Sequence, residues 1–338
     1  MKIKIMKNDK LWMEDNAVRQ LETIATFDGV SDIVGLSDLH AGRQPIGSTI
    51  VTNNTIYPLL IGNDIGCGMA LYDTGTKLKK INVDRVMKYL ENTEIKGTYS
   101  IGGGNHFAEL TMIDKIFDLE SAKRLNLNKN NLHLLVHSGS RNIGEKIYRE
   151  YASLQGLKEG TEAFNNYIDE HNKAIEYARA NRNNIANIIL DMIHLRNKNQ
   201  LIVDTVHNYI EIVDDKYYHR KGSVSSIENE YTVIAGSRGS YSYLVKTIPN
   251  EAYLNSISHG SGRKWQRSLC YGRLSTKYKK DELKKTKLGS YVISKDKALY
   301  YEEAPEAYKN INDVIDTLLD YNCIQIVARL KPMVTYKC

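Results

Sequence analysis

Short apolar runs, punctuated by glycine-, serine- and asparagine-rich breaks, set the pattern of this chain. Ile3 and Ile5 alternate with lysines and predict a short strand, since a period of two marks one buried face. Val18, Leu21 and Ile24 fall on one helical face, with Asn16 as the expected N-cap and Gly29 as the stop. Residues 38–47, DLHAGRQPIG, look too irregular to be core, and a β-rich piece from Thr49 to Ile61 follows. Val83 to Leu90 reads as an amphipathic helix behind the cap Asn82. LHLLV (132–136) predicts a short apolar strand.

From Glu162 to about Asn197 the spacing is helical, with Phe164, Tyr167, Ile168, His171, Ala174, Ile175 and Ala178 on one face. His171 and His194 fall inside that run and read as structural. Residues 201–213, LIVDTVHNYIEIV, predict strand throughout, interrupted by His207 and Asn208. HRKGS (219–223) reads as a basic turn and YTVIAG (231–236) as a strand. A helix near residues 312–319 and two strands, 324–327 and 333–336, close the chain. No repeat, linker or boundary interrupts this order, so the expectation is one α+β domain over residues 1–338, mixed sheets surrounded by helices.

Composition adds little to the fold but narrows the class. Hydrophobic residues at 42% and charged residues at 25% are ordinary for a globular protein, and 5 prolines argue against disordered arms. A net charge of +6 permits a polyanionic partner without demanding one. Much of the basic character lies between Arg267 and Lys287, interleaved with Tyr271 and Tyr278, and reads first as a solvated face. Four scattered cysteines cannot form a disulfide framework, and no signal peptide or membrane-length apolar run is visible. A reducing cytoplasm is the expected location.

The candidate chemistry lies in the breaks. GNDIGCGM (62–69) sets a carboxylate and a thiol, Asp64 and Cys67, among three glycines, which suits a metal corner better than a core segment. IGGGNHFAE (101–109) offers backbone N–H groups to an anion beside Asn105 and His106. HSGSR (137–141) follows directly on a strand, and SHGSGR (258–263) presents His259 in a small, open surround with Arg263 as counter-charge. Five of nine histidines (His40, His106, His137, His207, His259) sit in such breaks, so a metal site assembled from distant segments is the reading. A Cys/His/Asp set suits Zn²⁺ by softness alone, yet neither a zinc-ribbon pair nor HExxH is present. DxH (38–40) and GNH (104–106) echo the calcineurin-like metallophosphoesterases, but His106 is followed by Phe107 and no Gly-His-x-His occurs.

The full set of motifs resembles the RtcB RNA ligases. DIGCGM (64–69), GGGNHFAE (102–109), HSGSR, the His-Asn of DTVHNYIE (204–211), HRKG (219–222), GSRGSYSY (236–243), SHGSGR and the near-terminal Lys337 fall in the family's order. The resemblance implies an RtcB-like fold and a GTP-dependent ligase that joins an RNA 3′-phosphate or 2′,3′-cyclic phosphate to a 5′-hydroxyl. It implies two Mn²⁺ ions on Asp64, Cys67, His106, His137 and His207, with Cys67 shared, and guanylylation of His259. It also implies a GTP pocket of Asn105, Phe107, Glu109, Asn208, Gly236, Ser237, Arg238, Ser242, Gly260, Ser261, Gly262 and Lys337. Arg238, Ser261 and Cys338 depart from the family's usual Met, Ala and final Gly. The expected partner is RNA bearing those ends, with no membrane; any activating protein is unknown. A metal-dependent phosphoesterase acting on nucleotides or RNA ends is the alternative, needing neither GTP nor His259. A catalytically silent RNA-binding relative fits intact metal ligands less well.

Overall fold

The computed structural model describes residues 2–337 apart from 94, 96–98, 154 and 196–198. Cys338 and Asn197 therefore lie outside the described residues. The larger sheet runs Tyr231–Ile234, Ser242–Thr247, Ile324–Lys337, Phe107–Ile116, Asn131–Ser138, Gly68–Lys77 and Gln200–Val206, with Tyr291–Ser294 added parallel to the long strand. Its two end strands come together, and the Thr205 and Thr232 hydroxyls share a hydrogen bond of 2.8 Å, so the sheet curls almost to a barrel. A second sheet runs Lys2–Ile5, Val30–His40, Ile46–Thr52, Lys216–Lys221 and Asn208–Val213.

The chain crosses from the first sheet to the second at a single residue. Gln200–Val206 ends the larger sheet and Asn208–Val213 edges the smaller, so the expected continuous strand is broken at His207. There the His207 N–H donates to the Cys67 carbonyl at 2.8 Å, one step beyond the paired Gly68 and Val206.

The long helix Glu162–Met192 packs across the larger sheet, burying Ile185, Ala186, Ile189 and Leu190 against Ala70, Leu134 and Val136. Thr161 caps its start by accepting from the Phe164 N–H. Its one buried cation braces the strand ends. Arg182, fully buried, donates from Nη1 to the Gly66 carbonyl (2.8 Å) and the Ser138 carbonyl (2.9 Å), and from Nε to Asp204 (2.8 Å). The architecture is α+β with mixed sheets and flanking helices, as the interleaved pattern predicts. Asn82 caps the helix Val83–Asn92 by accepting from Arg85 N–H, and buried His171 accepts from the Ile210 N–H at 2.9 Å, both as expected. His194 lies just past the end of the long helix.

Several elements differ from expectation for identifiable reasons. The first helix, Asp15–Ile24, begins at Glu14 rather than Asn16, without a side-chain cap. Pro58 starts a helical turn, Pro58–Ile61, where strand was expected. Asp38 and His40 are not loop residues: they end the strand Val30–His40, buried on both faces from Ile33 onward. HRK (219–221) is likewise strand, and only Gly222 turns, at φ +60°. The last two strands are one, Ile324–Lys337, which absorbs Pro332 at a register shift.

Replacing Arg182 with Met should leave Asp204 and two buried carbonyls unpaired. A loss of about 3–5 kcal/mol in urea-induced unfolding is expected. Stability within about 1 kcal/mol of wild type would show the brace to be dispensable.

Candidate metal centre and nucleotide cavity

Sheet register brings the ligand-bearing residues together. Phe107 pairs with His137, Met69 pairs with both His137 and Thr205, and Gly68 pairs with Ser138 and Val206. His106, Cys67 and His207 each lie one residue beyond a strand end at that same edge, and His137 is the last residue but one of its own strand. Adjacent strands are about 4.8 Å apart, so side chains at one edge can share a small volume.

They do share it. Cys67 Sγ lies 3.3 Å from His106 Nε2 and 3.2 Å from His137 Nε2, and the Nε2 atoms of His137 and His207 are 3.3 Å apart. Asp64 Oδ2 approaches His106 Nε2 at 2.7 Å. Two groupings result, Asp64/Cys67/His106 and Cys67/His137/His207, and Cys67 belongs to both. Burial holds His137 and His207 well below the usual imidazole range, in the neutral form that binds metals. Burial also pushes the Cys67 thiol well above its usual value, which a cation would have to offset by displacing the proton. Asp64 is buried too, yet the charges of His106 and Arg141 hold it well below the carboxylate range. Neutral imidazoles facing one another around a sulfur, with His207 Nδ1 buried and unpartnered, are a donor set that fits divalent metal.

His259 stands beside this cluster, its ring centroid 4.6 Å from that of His207. Its Nδ1 lies 2.7 Å from Asp38 Oδ2 and 2.9 Å from the Gly222 carbonyl. Both neighbours are acceptors, so the proton sits on Nδ1 and Nε2 carries the free lone pair. Burial would raise Asp38, but its hydrogen bond to His259 together with the charges of His259, His40 and Lys309 outweighs that and holds the carboxyl below its usual range. Lys309 clamps the carbonyls on either side of Asp38, Ser37 at 3.1 Å and Leu39 at 2.8 Å. At Gly262 (φ +67°) an added Cβ would strike the Asp38 backbone, so only glycine lets the 260–262 loop meet the strand that carries Asp38.

A cavity of about 880 Å³ opens from His259. Asn105, Phe107, Glu109, Gly236, Ser237, Arg238, Gly260, Ser261, Gly262 and Lys337 line it together with His137. Asn208 and Ser242 do not line it. Asn208 Oδ1 accepts from the Gly222 N–H (2.9 Å) and Ser242 Oγ from the Gly236 N–H (3.1 Å), so both shape the wall from behind. Glu109 accepts from Thr335 Oγ1 at 2.6 Å, and burial pushes its carboxyl up to about 7. Lys337 donates to the His106 carbonyl at 3.0 Å. Sequence reasoning missed Glu303, a buried wall residue that gathers Arg263 (3.1 Å), the Tyr308 hydroxyl (2.5 Å) and Lys337 (3.6 Å). Nothing local separates it from its neighbour Glu302. The pairing of Asp38 with His259 was also missed, because Asp38 reads as a loop residue until its partner 221 residues on is known.

A family profile described as "tRNA-splicing ligase RtcB" matches residues 20–100 and 85–338. The chain is 41% identical to an "RNA-splicing ligase RtcB2" of Escherichia coli, covering 98% of this chain and 94% of that one. It is 24% identical to the "RNA-splicing ligase RtcB" of Escherichia coli K12, covering 97% of both. Against a "tRNA-splicing ligase RtcB" of Methanocaldococcus jannaschii the identity is 30%, covering 69% of this chain and 29% of that one.

Because the Cys67 proton must leave when the sulfur becomes a ligand, affinity for Mn²⁺ is expected to rise with pH, by up to about tenfold per unit. Calorimetry in buffers of different ionisation enthalpy would read the released proton, and Cys67→Ala should abolish it. Affinity that does not change with pH, or two ions retained by Cys67→Ala, would remove the sulfur from the ligand set.

Proposed function

This chain belongs to the RtcB family of RNA ligases, and on that premise we propose that it seals RNA 3′-phosphate or 2′,3′-cyclic phosphate ends to 5′-hydroxyl ends, using GTP and a covalent His259–GMP adduct. The observation that carries the reading is one imidazole, oriented through Nδ1, beside two ligand groupings that share a sulfur. Asp64, Cys67 and His106 would hold one Mn²⁺, and Cys67, His137 and His207 the other. Bound there, the two ions would neutralise and polarise phosphate oxygens.

His259 Nε2 attacks the α-phosphorus of GTP; a nitrogen–phosphorus bond forms as the bond to pyrophosphate breaks. Asp38 retains the Nδ1 proton and stabilises the positive charge that appears on the ring. An oxygen of the RNA 3′-phosphate then takes GMP from His259, restoring the neutral imidazole. The 5′-hydroxyl finally attacks that activated phosphate, loses its proton and expels GMP. A cyclic end would first be opened by water to the 3′-phosphate. Activation is needed because a phosphate monoester has no good leaving group.

Glu109 is suited to guanine, because a carboxylate accepts from the N1–H and the N2 amino group that adenine lacks. Asn105, Phe107, the 236–238 loop, the 260–262 loop and Lys337 would form the rest of the GTP pocket, with Asn208 and Ser242 supporting it. RNA repair and tRNA splicing both fit this chemistry. No helix among the described residues is long and apolar enough to cross a membrane, and Cys67, Cys270 and Cys323 are free thiols.

Incubation with labelled GTP and Mn²⁺ should yield an acid-labile protein–GMP adduct that is absent in His259→Ala. Asp38→Asn should slow its formation by roughly 10²–10⁴-fold, since the ring then loses its tautomer and its counter-charge. Phosphate release from RNA ends without any adduct would favour the phosphoesterase instead. GTP affinity should also weaken as pH falls below about 7, where Glu109 takes up a proton and ceases to accept. Glu109→Gln should remove that pH dependence and narrow the preference for GTP over ATP.

A further inference from the structure

Positive charge is unevenly distributed along this chain. Residues 264–287 hold nine Lys and Arg against two acids, a net of +7 where the whole chain carries +6. The other 314 residues thus sum to −1, and the basic excess belongs to one segment. A solvated lysine face ordinarily occurs with acidic residues interspersed. Here they are largely missing: among the described residues Lys264, Lys277, Lys285 and Lys287 are exposed and have no carboxylate within ion-pair reach.

This segment starts inside the cavity and leads out of it. Lys264, Trp265 and Arg267 line the cavity that also contains His259. The Lys264 N–H donates to the Ala307 carbonyl at 2.7 Å, which fixes the segment where it leaves the wall. The helix Arg267–Leu274 then buries Cys270 and Leu274 and turns Tyr271 outward, 63% exposed. Tyr271 is steadied edge-on by Tyr301, ring centroids 5.1 Å apart, and Arg273 lies 4.9 Å from the Trp265 ring. An exposed aromatic in a segment whose lysines largely lack carboxylate partners is a combination that binds single-stranded nucleic acid: phosphates meet the cations and a base stacks on the ring.

We propose that residues 264–287 form the landing surface for the RNA strand whose end enters the cavity, with Lys277, Lys285 and Lys287 holding phosphates several nucleotides from the joint and Tyr271 stacking a base. The proposal rests on the RNA ligase reading above. Charge complementarity selects the occupant: a strand with one negative charge per nucleotide matches a run of unpaired lysines, whereas a protein partner would need a matching acidic patch.

The triple variant Lys277→Gln/Lys285→Gln/Lys287→Gln tests it in the full chain. Formation of the GMP adduct should be unchanged, because none of these residues touches the nucleotide cavity's catalytic side. Affinity for a 3′-phosphorylated RNA of about 20 nucleotides should fall roughly 10- to 100-fold at moderate salt. The slope of log affinity against log salt should shrink by about 2, at about 0.7 per lost single-strand contact. Joining of RNAs of about three nucleotides should be much less affected than joining of the longer RNA. Tyr271→Ala should weaken the longer RNA without altering the salt slope. A triple variant with a normal adduct, unchanged affinity and an unchanged salt slope would overturn the proposal and leave a protein partner as the reading of this surface. A wild type that makes no adduct yet binds RNA through these lysines would overturn the ligase reading alone. A wild type that binds no RNA would overturn both.

Discussion

The site depends on placing one sulfur 3.3 Å and 3.2 Å from the Nε2 atoms of His106 and His137, with His207 Nε2 3.3 Å from that of His137. Cys67, His106, His137 and His207 come from four neighbouring strands of one sheet, all at the same edge. Sheet register therefore fixes their separation before any ion arrives. A slip of one residue in any of these strands would turn a donor to the opposite face. Arg182 guards against that slip by tying the Gly66 and Ser138 carbonyls together from the helix above. The curled sheet supplies the geometry, and burial favours neutral imidazole at His137 and His207 and protonated thiol at Cys67.

The smaller sheet orients His259, which itself follows Ser256–Ser258, a strand of a separate two-stranded sheet. His207 ends the larger sheet, while Asp38 and Gly222, which orient His259, sit at strand ends in or beside the smaller one. The candidate ligands and the Asp38 that orients His259 thus belong to two sheets, and the junction between them sets how far His259 stands from those ligands. Asp38 accomplishes this from complete burial. Its ionised state is tolerable because His259 donates to it and Lys309 grips the flanking backbone.

What could be read in the sequence follows from how far apart interacting residues lie. LHLLV and the helix from Glu162 were legible because their periodicity is local, and the Gly-flanked ligands were legible because polar residues between glycines make poor core. The strands Val30–His40 and Lys216–Lys221 were not, since Ser37, Asp38, His219 and Arg220 look like loop until their partners are known. The partner of Asp38 lies 221 residues away, and that of Arg220 includes Ser256. Pro332 broke a strand on paper that the fold keeps whole by shifting register. Motif order named the donors, but only the folded sheets reveal that Asn208 and Ser242 work from behind the wall while Glu303 faces into it.

The shared sulfur also makes the centre vulnerable at a single atom. If both cations lean on Cys67, one oxidative event there would unload the pair together, giving the enzyme an all-or-none response to peroxide instead of a graded one. In the metal-free protein the protonated, buried thiol is poorly nucleophilic and so shielded. A metal bound there would exchange that protection for reactivity, and a metal-loaded form would be the redox-sensitive one.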